Sequence, residues 1–206
     1  MQAEIMIVLT MFTISPCAAG CGRSAISGSN LCFIHQVNQE QEITRIVTGI
    51  TGNETIRDIV ASGMHFTGVD FSRHRFYGCN FRESVFSKCD FSGAVMRMCF
   101  FDFAEFTGCD FSKTDLQFLS FAGSRITAGN FEGSDLIHVN FLGAAVSGSS
   151  FSNSNLYNSR FIEAELEELK FIDCNLKRTN FISARLKEVI FRSSNTGEAV
   201  FEPEEP

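Results

Sequence analysis

Three cysteines and one histidine lie close together near the start of this 206-residue chain, in the order Cys17-x3-Cys21-x10-Cys32-x2-His35. Thiolate sulfur and imidazole nitrogen are the ligands that structural zinc prefers, and four of them close a tetrahedral site. Because four protein ligands leave no open position for water, the pattern predicts a structural zinc ion rather than a catalytic one. The alternative, four unrelated residues in a disordered leader, stays open.

The segment that carries these ligands, residues 16–36, resembles the small zinc-knuckle and treble-clef-like modules of bacterial and phage proteins. The resemblance rests on Cys21-Gly22-Arg23 and on Leu31-Cys32-Phe33-Ile34-His35. It implies that a Gly-containing knuckle supplies two ligands and that the start of a helix supplies the other two. Arg23 is the only Lys or Arg between Met1 and Thr44, so direct nucleic-acid binding is not favoured.

The other histidines form no comparable cluster. His65, His74 and His138 have no partner at a spacing typical of a catalytic triad or a metal site. Each is therefore interpreted as a surface or spacer residue, and we predict that the protein is not an enzyme.

The rest of the chain is organised by a bulky apolar residue at every fifth position, from Phe66 to Phe191, over 26 consecutive units. A period of five fits neither a helix nor a strand, so an internal repeat must be considered first. Small residues recur two positions before the bulky ones, as at Cys79 and Ser84. Both sets are predicted to face a core, and the polar residues between them to face solvent.

This pattern resembles the pentapeptide-repeat family, whose consensus is a small residue, Asp or Asn, Leu or Phe, and two variable residues. Here it occurs as Cys-Asn-Phe-Arg-Glu at 79–83, Cys-Asp-Phe-Ser-Gly at 89–93 and Cys-Asn-Leu-Lys-Arg at 174–178. The resemblance implies an all-β solenoid, a right-handed quadrilateral β-helix with four pentapeptides to a coil. Residues 64–201 then make about 6.5 coils.

Taking every twentieth residue separates the bulky positions into four columns. Two columns contain only Phe and drive the predicted core: Phe71, Phe91, Phe111, Phe131, Phe151 and Phe171, and Phe81, Phe101, Phe121, Phe141, Phe161 and Phe181. The other two drift from Phe to aliphatic residues. Phe on two opposite walls and smaller residues on the other two can fill a tube at native packing density.

The five remaining cysteines occupy small inward positions of the repeat: Cys79, Cys89, Cys99, Cys109 and Cys174. Cysteines one coil apart would hold their Cβ atoms about 4.8 Å apart, slightly too far for an unstrained disulfide. We therefore predict buried free thiols and a reducing compartment.

Three further segments complete the predicted organisation. Residues 1–15 are an apolar N-terminal segment, residues 37–63 a helical linker and cap over the first coil, and residues 202–206 an acidic, Pro-containing tail. In the cap, apolar spacing predicts a helix from about Phe33 to Ile50. Asn53 is a suitable N-cap for a second, short helix from Glu54 to Ala61.

The N-terminal segment lacks the positive n-region of a signal peptide and is too short to span a bilayer. A cytoplasmic location without a membrane span is therefore predicted. A translation start at Met11 is an alternative that leaves open whether residues 1–10 belong to the mature protein.

Charge argues against the best-known activity of the family, which is DNA mimicry that inhibits topoisomerase and protects it from quinolones. Two features resemble an acidic mimic, namely the column Asp70, Asp90, Asp110 and the cluster Glu163, Glu165, Glu167, Glu168. However, residues 64–201 carry 16 acidic and 14 basic side chains, whereas a mimic presents an extended negative potential. No basic patch for nucleic acid is evident either.

Apolar residues at nominally outward positions favour a different hypothesis: Phe100, Phe103, Phe118, Leu142, Ile162 and Ile182. Such residues can mark a protein-interaction surface, or the N-terminal segment can cover them. The sequence therefore predicts a zinc-stabilised scaffold that binds an unidentified protein. A topoisomerase-binding mimic and a zinc-dependent nucleic-acid binder are the alternatives, and a dimer through the rod end stays open.

Overall fold

The computed structural model of the chain describes residues 14–201. These residues form a parallel β-solenoid of about seven turns, preceded by one short α-helix. Most of the predicted N-terminal segment and the whole predicted tail, residues 202–206, lie outside the described range.

The helix and strand bounds follow the repeat closely. Helix α1 covers Gln39–Thr51, and 3-10 helices cover Phe33–His35 and Thr196–Glu198. The strands, numbered in chain order, are β1 Thr55–Arg57, β2 His65–Thr67, β3 Arg75–Tyr77, β4 Val85–Ser87, β5 Val95–Arg97, β6 Glu105–Thr107, β7 Asp115–Gln117, β8 Arg125–Thr127, β9 Asp135–Ile137, β10 Ala145–Ser147, β11 Glu165–Glu167 and β12 Arg185–Lys187. Within residues 14–201, no helix has the length and apolarity that a membrane span requires.

Four walls result from a constant register of twenty residues. One sheet has the strand order β1-β3-β5-β7-β9, and a second has the order β12-β11-β10-β8-β6-β4-β2. Each strand pairs in parallel with the residues one coil away, as Phe86 does with Phe106. The two walls between these sheets are joined by single bridges such as Asp90 to Asp110 and Ser120 to Asn140.

The two Phe columns lie on opposite walls and fill the interior. Along each column the rings stack in parallel; those of Phe111 and Phe131, for example, have centroids 4.8 Å apart and an interplanar angle of 2°. Across the tube the rings meet edge to face, as in Phe131 and Phe141 at 87°. These are the two favourable aromatic geometries. The Phe residues from Phe71 to Phe171 in one column and from Phe81 to Phe181 in the other are buried.

Many of the small inward residues form hydrogen bonds to the previous coil. Their hydroxyl or thiol donates to a carbonyl 23 residues earlier, as Ser154 Oγ does to Phe131 O at 2.6 Å and Thr179 Oγ1 to Leu156 O at 2.9 Å. Cys89 Sγ makes the same contact with Phe66 O at 3.5 Å. All eight cysteines of the chain are free, in agreement with the predicted thiols.

Every corner of the solenoid places one residue in the left-handed region. Such residues recur at five-residue spacing from Asp58 to Ser193, and most are not glycine, as at Phe103 and Phe118. Left-handed backbone costs a non-glycine residue about 1 kcal/mol or more, so the stacked core must offset that strain.

The predicted helix from Glu54 to Ala61 is wrong, because the solenoid begins there. Thr55–Arg57 forms β1 and pairs with β3, and Val60 bridges to Asn80. Ile56 and Ala61 are buried at the positions that the five-residue rule assigns when it is extended backwards. Pairing with the next coil supplies more hydrogen bonds than an eight-residue helix could make alone.

The first coil is closed by the helix and the segment before it. Ile46 and Ile50 of α1 join the same buried cluster as Ile56. The predicted continuous helix is divided, because Gln36 is extended and Asn38 caps α1 through a bond from Gln41 N to Asn38 Oδ1 at 3.0 Å. The helix then continues through Gly49 to Thr51.

Candidate metal centre and exposed wall

The four predicted ligands come together in one cluster. The ligand atoms of Cys17, Cys21, Cys32 and His35 all lie within 4.8 Å of one another. The Cys21 and Cys32 sulfurs are 3.6 Å apart, and His35 Nδ1 lies 3.3 Å from Cys17 Sγ and 3.6 Å from Cys32 Sγ. A tetrahedron with metal–sulfur bonds of about 2.3 Å has edges of about 3.8 Å, so these separations suit zinc.

Two short pieces of backbone position the ligands. An antiparallel bridge from Pro16 to Ser24, with Cys17 N donating to Arg23 O at 2.9 Å, closes the turn that carries Cys17 and Cys21. Gly22 has φ +80°, which allows this turn to tighten after the second ligand. Cys32 directly precedes the 3-10 helix Phe33–His35, whose single turn directs His35 back toward the sulfurs.

Backbone amides that donate to sulfur lower the pKa of two of the three thiols. The pKa of Cys17 is lowered chiefly because the backbone amide of Cys32 donates to its sulfur, at 3.3 Å. The pKa of Cys21 is lowered by the backbone amide of Arg23, whereas burial raises the pKa of Cys32. A metal ligated by thiolates would remove these protons, and the amide–sulfur bonds would then stabilise the bound sulfurs.

The module, residues 14–36, is fixed to the first coil. Ser27 N donates to Val60 O, and Val60 N donates back to Ser27 Oγ, both at 2.8 Å. Ile26 and Phe33 are buried in the cluster that closes the first coil. The metal ligands therefore lie directly beside residues that cover the open end of the solenoid.

The six predicted surface residues border a single wall. This apolar wall has the column Phe81 to Phe181 on its inside and comprises residues 98–103, 118–123, 138–143, 158–163 and 178–183 on its outside. Phe103 is 67% exposed, Phe118 57% and Leu142 42%. Ile162 and Ile182 are half-buried, as is Phe100, whose ring lies 4.6 Å from the Arg82 guanidinium.

Sequence reasoning missed two residues of the apolar wall. Met98 is 41% exposed, one coil before Phe118 at the same corner. The His138 ring stacks on Phe118 at 4.9 Å and 5°, and Asn158 Nδ2 lies 2.6 Å from its Nδ1. The twenty-residue register places Met98, Phe118, His138 and Asn158 at one corner, so it could have identified Met98 and His138.

Comparisons with known proteins agree with the repeat. The family model "Pentapeptide repeat region" matches residues 124–201, and "Pentapeptide repeats (8 copies)" matches residues 84–117. The chain is a pentapeptide-repeat protein. No curated protein matches it.

A solved structure of QnrB1 supports the fold of this pentapeptide-repeat protein. A trypsin-treated variant of QnrB1, a plasmid-mediated fluoroquinolone resistance protein, is 19% identical, with 68% of this chain and 81% of that one covered and a TM-score of 0.59. Rfr23 from the cyanobacterium Cyanothece 51142 is 13% identical over 77% of this chain and 98% of that one, with a TM-score of 0.39. At these identities the likeness concerns the fold alone.

The acidic column of the pentapeptide-repeat protein is bound to its own backbone. Asp70, Asp90 and Asp110 each accept a hydrogen bond from the amide two residues later, at 2.7 to 2.8 Å. The pKa of Asp70 is lowered chiefly by hydrogen bonds from the Ser72 side chain and amide. These carboxylates therefore hold the turns that begin each corner.

The acidic cluster is partly neutralised by the coil above it. Arg185 pairs with Glu165 at 2.5 Å, and Lys187 pairs with Glu167. The matched charges follow from the twenty-residue register of β11 and β12. Two of the four carboxylates of this cluster, Glu165 and Glu167, are therefore paired with cations, which reduces the negative potential of this surface.

Proposed function

We propose that this pentapeptide-repeat protein is a non-enzymatic scaffold that binds another protein, with a zinc ion holding its N-terminal module. The observation that carries the zinc assignment is the Cys3His cluster with near-tetrahedral separations. Few residues of the module are buried, so metal binding would supply folding free energy that its small core lacks.

Metal analysis of purified protein tests the zinc assignment. We expect about one zinc per chain in the wild type and in Cys174→Ser, which alters a buried thiol of the solenoid. Cys32→Ser should bind none, because three ligands of this set would remain. Stoichiometric zinc in Cys32→Ser, or none in wild-type protein refolded with zinc, would contradict the assignment.

The exposed aromatic residues of the apolar wall support the scaffold function. Phe103 and Phe118 flank this wall at its two corners and are more than half exposed. Both occupy left-handed positions, where φ is 58° and glycine would be the less strained choice. Phe is enriched in the cores of protein interfaces, so solvent-facing Phe at two strained positions favours a binding role.

Site-specific photo-crosslinking in cells tests the apolar wall. A benzophenone amino acid at position 103 or 118 should give one adduct of defined mass, and Leu142→Ser should weaken it. The matched control is position 113, an exposed left-handed corner on the opposite wall. Equal capture at 113, or no adduct at either Phe position, would exclude this wall as the binding surface.

Topoisomerase binding by DNA mimicry is the second candidate, since Asp70, Asp90 and Asp110 stack in register on one wall. The turn hydrogen bonds and the ion pairs described above count against it. A gyrase supercoiling assay separates the two functions, because a mimic inhibits supercoiling at micromolar protein and a scaffold does not. Salt-dependent binding to labelled DNA or RNA would instead favour the zinc-dependent nucleic-acid binder.

A further inference from the structure

A cleft of about 560 Å³ separates the module from the solenoid. One side consists of residues 22–24 and 32–34 with Gln39 at the start of α1, and the other of residues 62–65 and 80–83. This volume lies within the range of about 300 to 1000 Å³ that is typical of ligand pockets. The cleft borders the metal cluster through Cys32 and lies apart from the corners of the apolar wall that carry Phe103 and Phe118.

Two guanidinium groups line the cleft. Arg82 is held in place because its Nε donates to Asp102 Oδ2 at 2.7 Å and its plane lies over Phe100. Its two terminal nitrogens have no hydrogen-bond partner among residues 14–201. Arg23 is joined only loosely to Glu83, with 3.9 Å between Nε and Oε2.

The charge of the lining suits an anion. Arg23 and Arg82 against Glu83 give the lining itself a formal charge of +1, although Asp102 pairs with Arg82 from outside the lining.

Apolar residues extend the cleft at its outer edge. Phe33 lines the cleft beside His65, with ring centroids 6.0 Å apart, and Ile34 is 54% exposed. Val37 follows three residues later and is fully exposed. The cleft therefore has an exposed apolar side chain, Ile34, in the same lining as its guanidinium groups, which favours a ligand with an apolar group next to its anionic group.

We propose that this cleft binds a short peptide segment of a partner protein, with a carboxylate on Arg23 and Arg82 and an adjacent apolar side chain on Ile34. A guanidinium fork is suited to a carboxylate because two parallel hydrogen bonds form. The carboxylate is either the C-terminus of the partner or an Asp or Glu side chain. The site needs a folded module and the Asp102 and Phe100 contacts that hold Arg82. It does not involve Phe103, Phe118 or Leu142, so crosslinking at those positions tests the scaffold surface separately.

The test uses full-length, zinc-loaded protein and an array of hexapeptides that pair Leu, Ile or Phe with one acidic group. Three versions of each peptide carry a free C-terminus, an amidated C-terminus, or an amidated C-terminus with an internal Asp or Glu. Retention of amidated peptides with an internal Asp or Glu identifies an acidic side chain as the bound group. Retention of peptides with a free C-terminus alone identifies the C-terminal carboxylate as the bound group. Either result supports the proposal, whereas equal binding of neutral amidated peptides overturns it.

Variants then assign the binding to the cleft. Arg23→Gln should weaken the best peptide about tenfold or more, because a hydrogen bond to a charged group is lost. Glu83→Gln should strengthen binding, since it removes the one carboxylate of the lining. Arg75→Gln is the matched control, because Arg75 forms a similarly loose, exposed pair with Glu54 at 3.8 Å.

Zinc content and thermal unfolding of each variant confirm that the fold is intact. If Arg23→Gln and Arg75→Gln bind the peptide equally well while both remain folded, or if no peptide binds, the proposal is wrong.

Discussion

The module and the solenoid keep their backbones in place by different means. In the solenoid each coil repeats the same buried columns and turns, so similar stabilising interactions recur between neighbouring coils. In the module, residues 14–36, the buried side chains are few, and four potential metal ligands take the place of a core. Stability of the solenoid is therefore distributed, whereas that of the module depends on one cluster.

This difference explains why the two regions respond differently to change. A substitution in the solenoid removes one contact among many similar ones and should act locally. Loss of one ligand in the module should remove most of what orders it, and with it the cover over Ile56 at the first coil. Substitutions in the two regions should therefore differ in how far their effects spread along the chain.

Cys17→Ser should have the largest effect, because it removes a metal ligand and an acceptor for the Cys32 amide. We expect residues 15–36 to become sensitive to protease while the solenoid from residue 85 onward resists cleavage. Limited proteolysis with mass mapping measures this. If the whole chain becomes sensitive at once, the two regions are not separately stabilised.

Phe131→Ala should lower the free energy of unfolding by about 3 to 5 kcal/mol, since the ring is fully buried between Phe111 and Phe151. Phe118→Ala is the control, and it should change stability by less than about 1 kcal/mol because Phe118 is 57% exposed. Chemical denaturation measures both. Similar values for the two would contradict the assignment of inward and outward positions.

Ser154→Ala should destabilise the solenoid by about 1 to 3 kcal/mol, because Phe131 O and Ser134 N both lose a buried partner. Ser124 occupies an equivalent buried position, but its Oγ has no hydrogen-bond partner among the described residues. Ser124→Ala should therefore be neutral or slightly stabilising. An equal loss for both would show that these hydroxyls act only by filling space.

Gly143→Ala should cost about 1 to 2 kcal/mol, since Gly143 has φ +61° and a new Cβ would meet no atom within 4 Å. The cost would therefore come from backbone conformation alone. Gly197→Ala, also without close neighbours but not left-handed, should change the melting temperature much less. A larger loss of stability in Gly197→Ala than in Gly143→Ala would show that left-handed backbone is not strained at the corners.

Much of the fold could be predicted because one environment is repeated. The five-residue period predicted the solenoid, and the twenty-residue columns placed Phe on opposite walls, as the stacked pairs confirm. The spacing of Cys17 to His35 also predicted which four residues meet, although not the bridge from Pro16 to Ser24 that closes their turn.

The first coil and the cleft were not predicted, for physical reasons. Ile56, Ile59 and Val60 share a helical face as well as a repeat register, and only pairing with Tyr77 and Asn80 selects the strand. The cleft depends on how an irregular module lies against residues 62–65 and 80–83, which no periodic pattern specifies. The left-handed corners were also missed, because residues such as Phe103 and Phe118 conceal the glycine preference of those positions.

Hydrogen exchange measured on the zinc-loaded chain and after chelation tests whether a metal ion holds the module in place. We expect zinc removal to abolish protection of amides that are hydrogen-bonded within the module, including Cys17 N and Ile26 N. Amides inside the solenoid, such as Phe131 N bonded to Ser150 O at 2.7 Å, should stay protected in both states. Unchanged protection of the module after complete zinc removal would contradict the claim that a metal holds it.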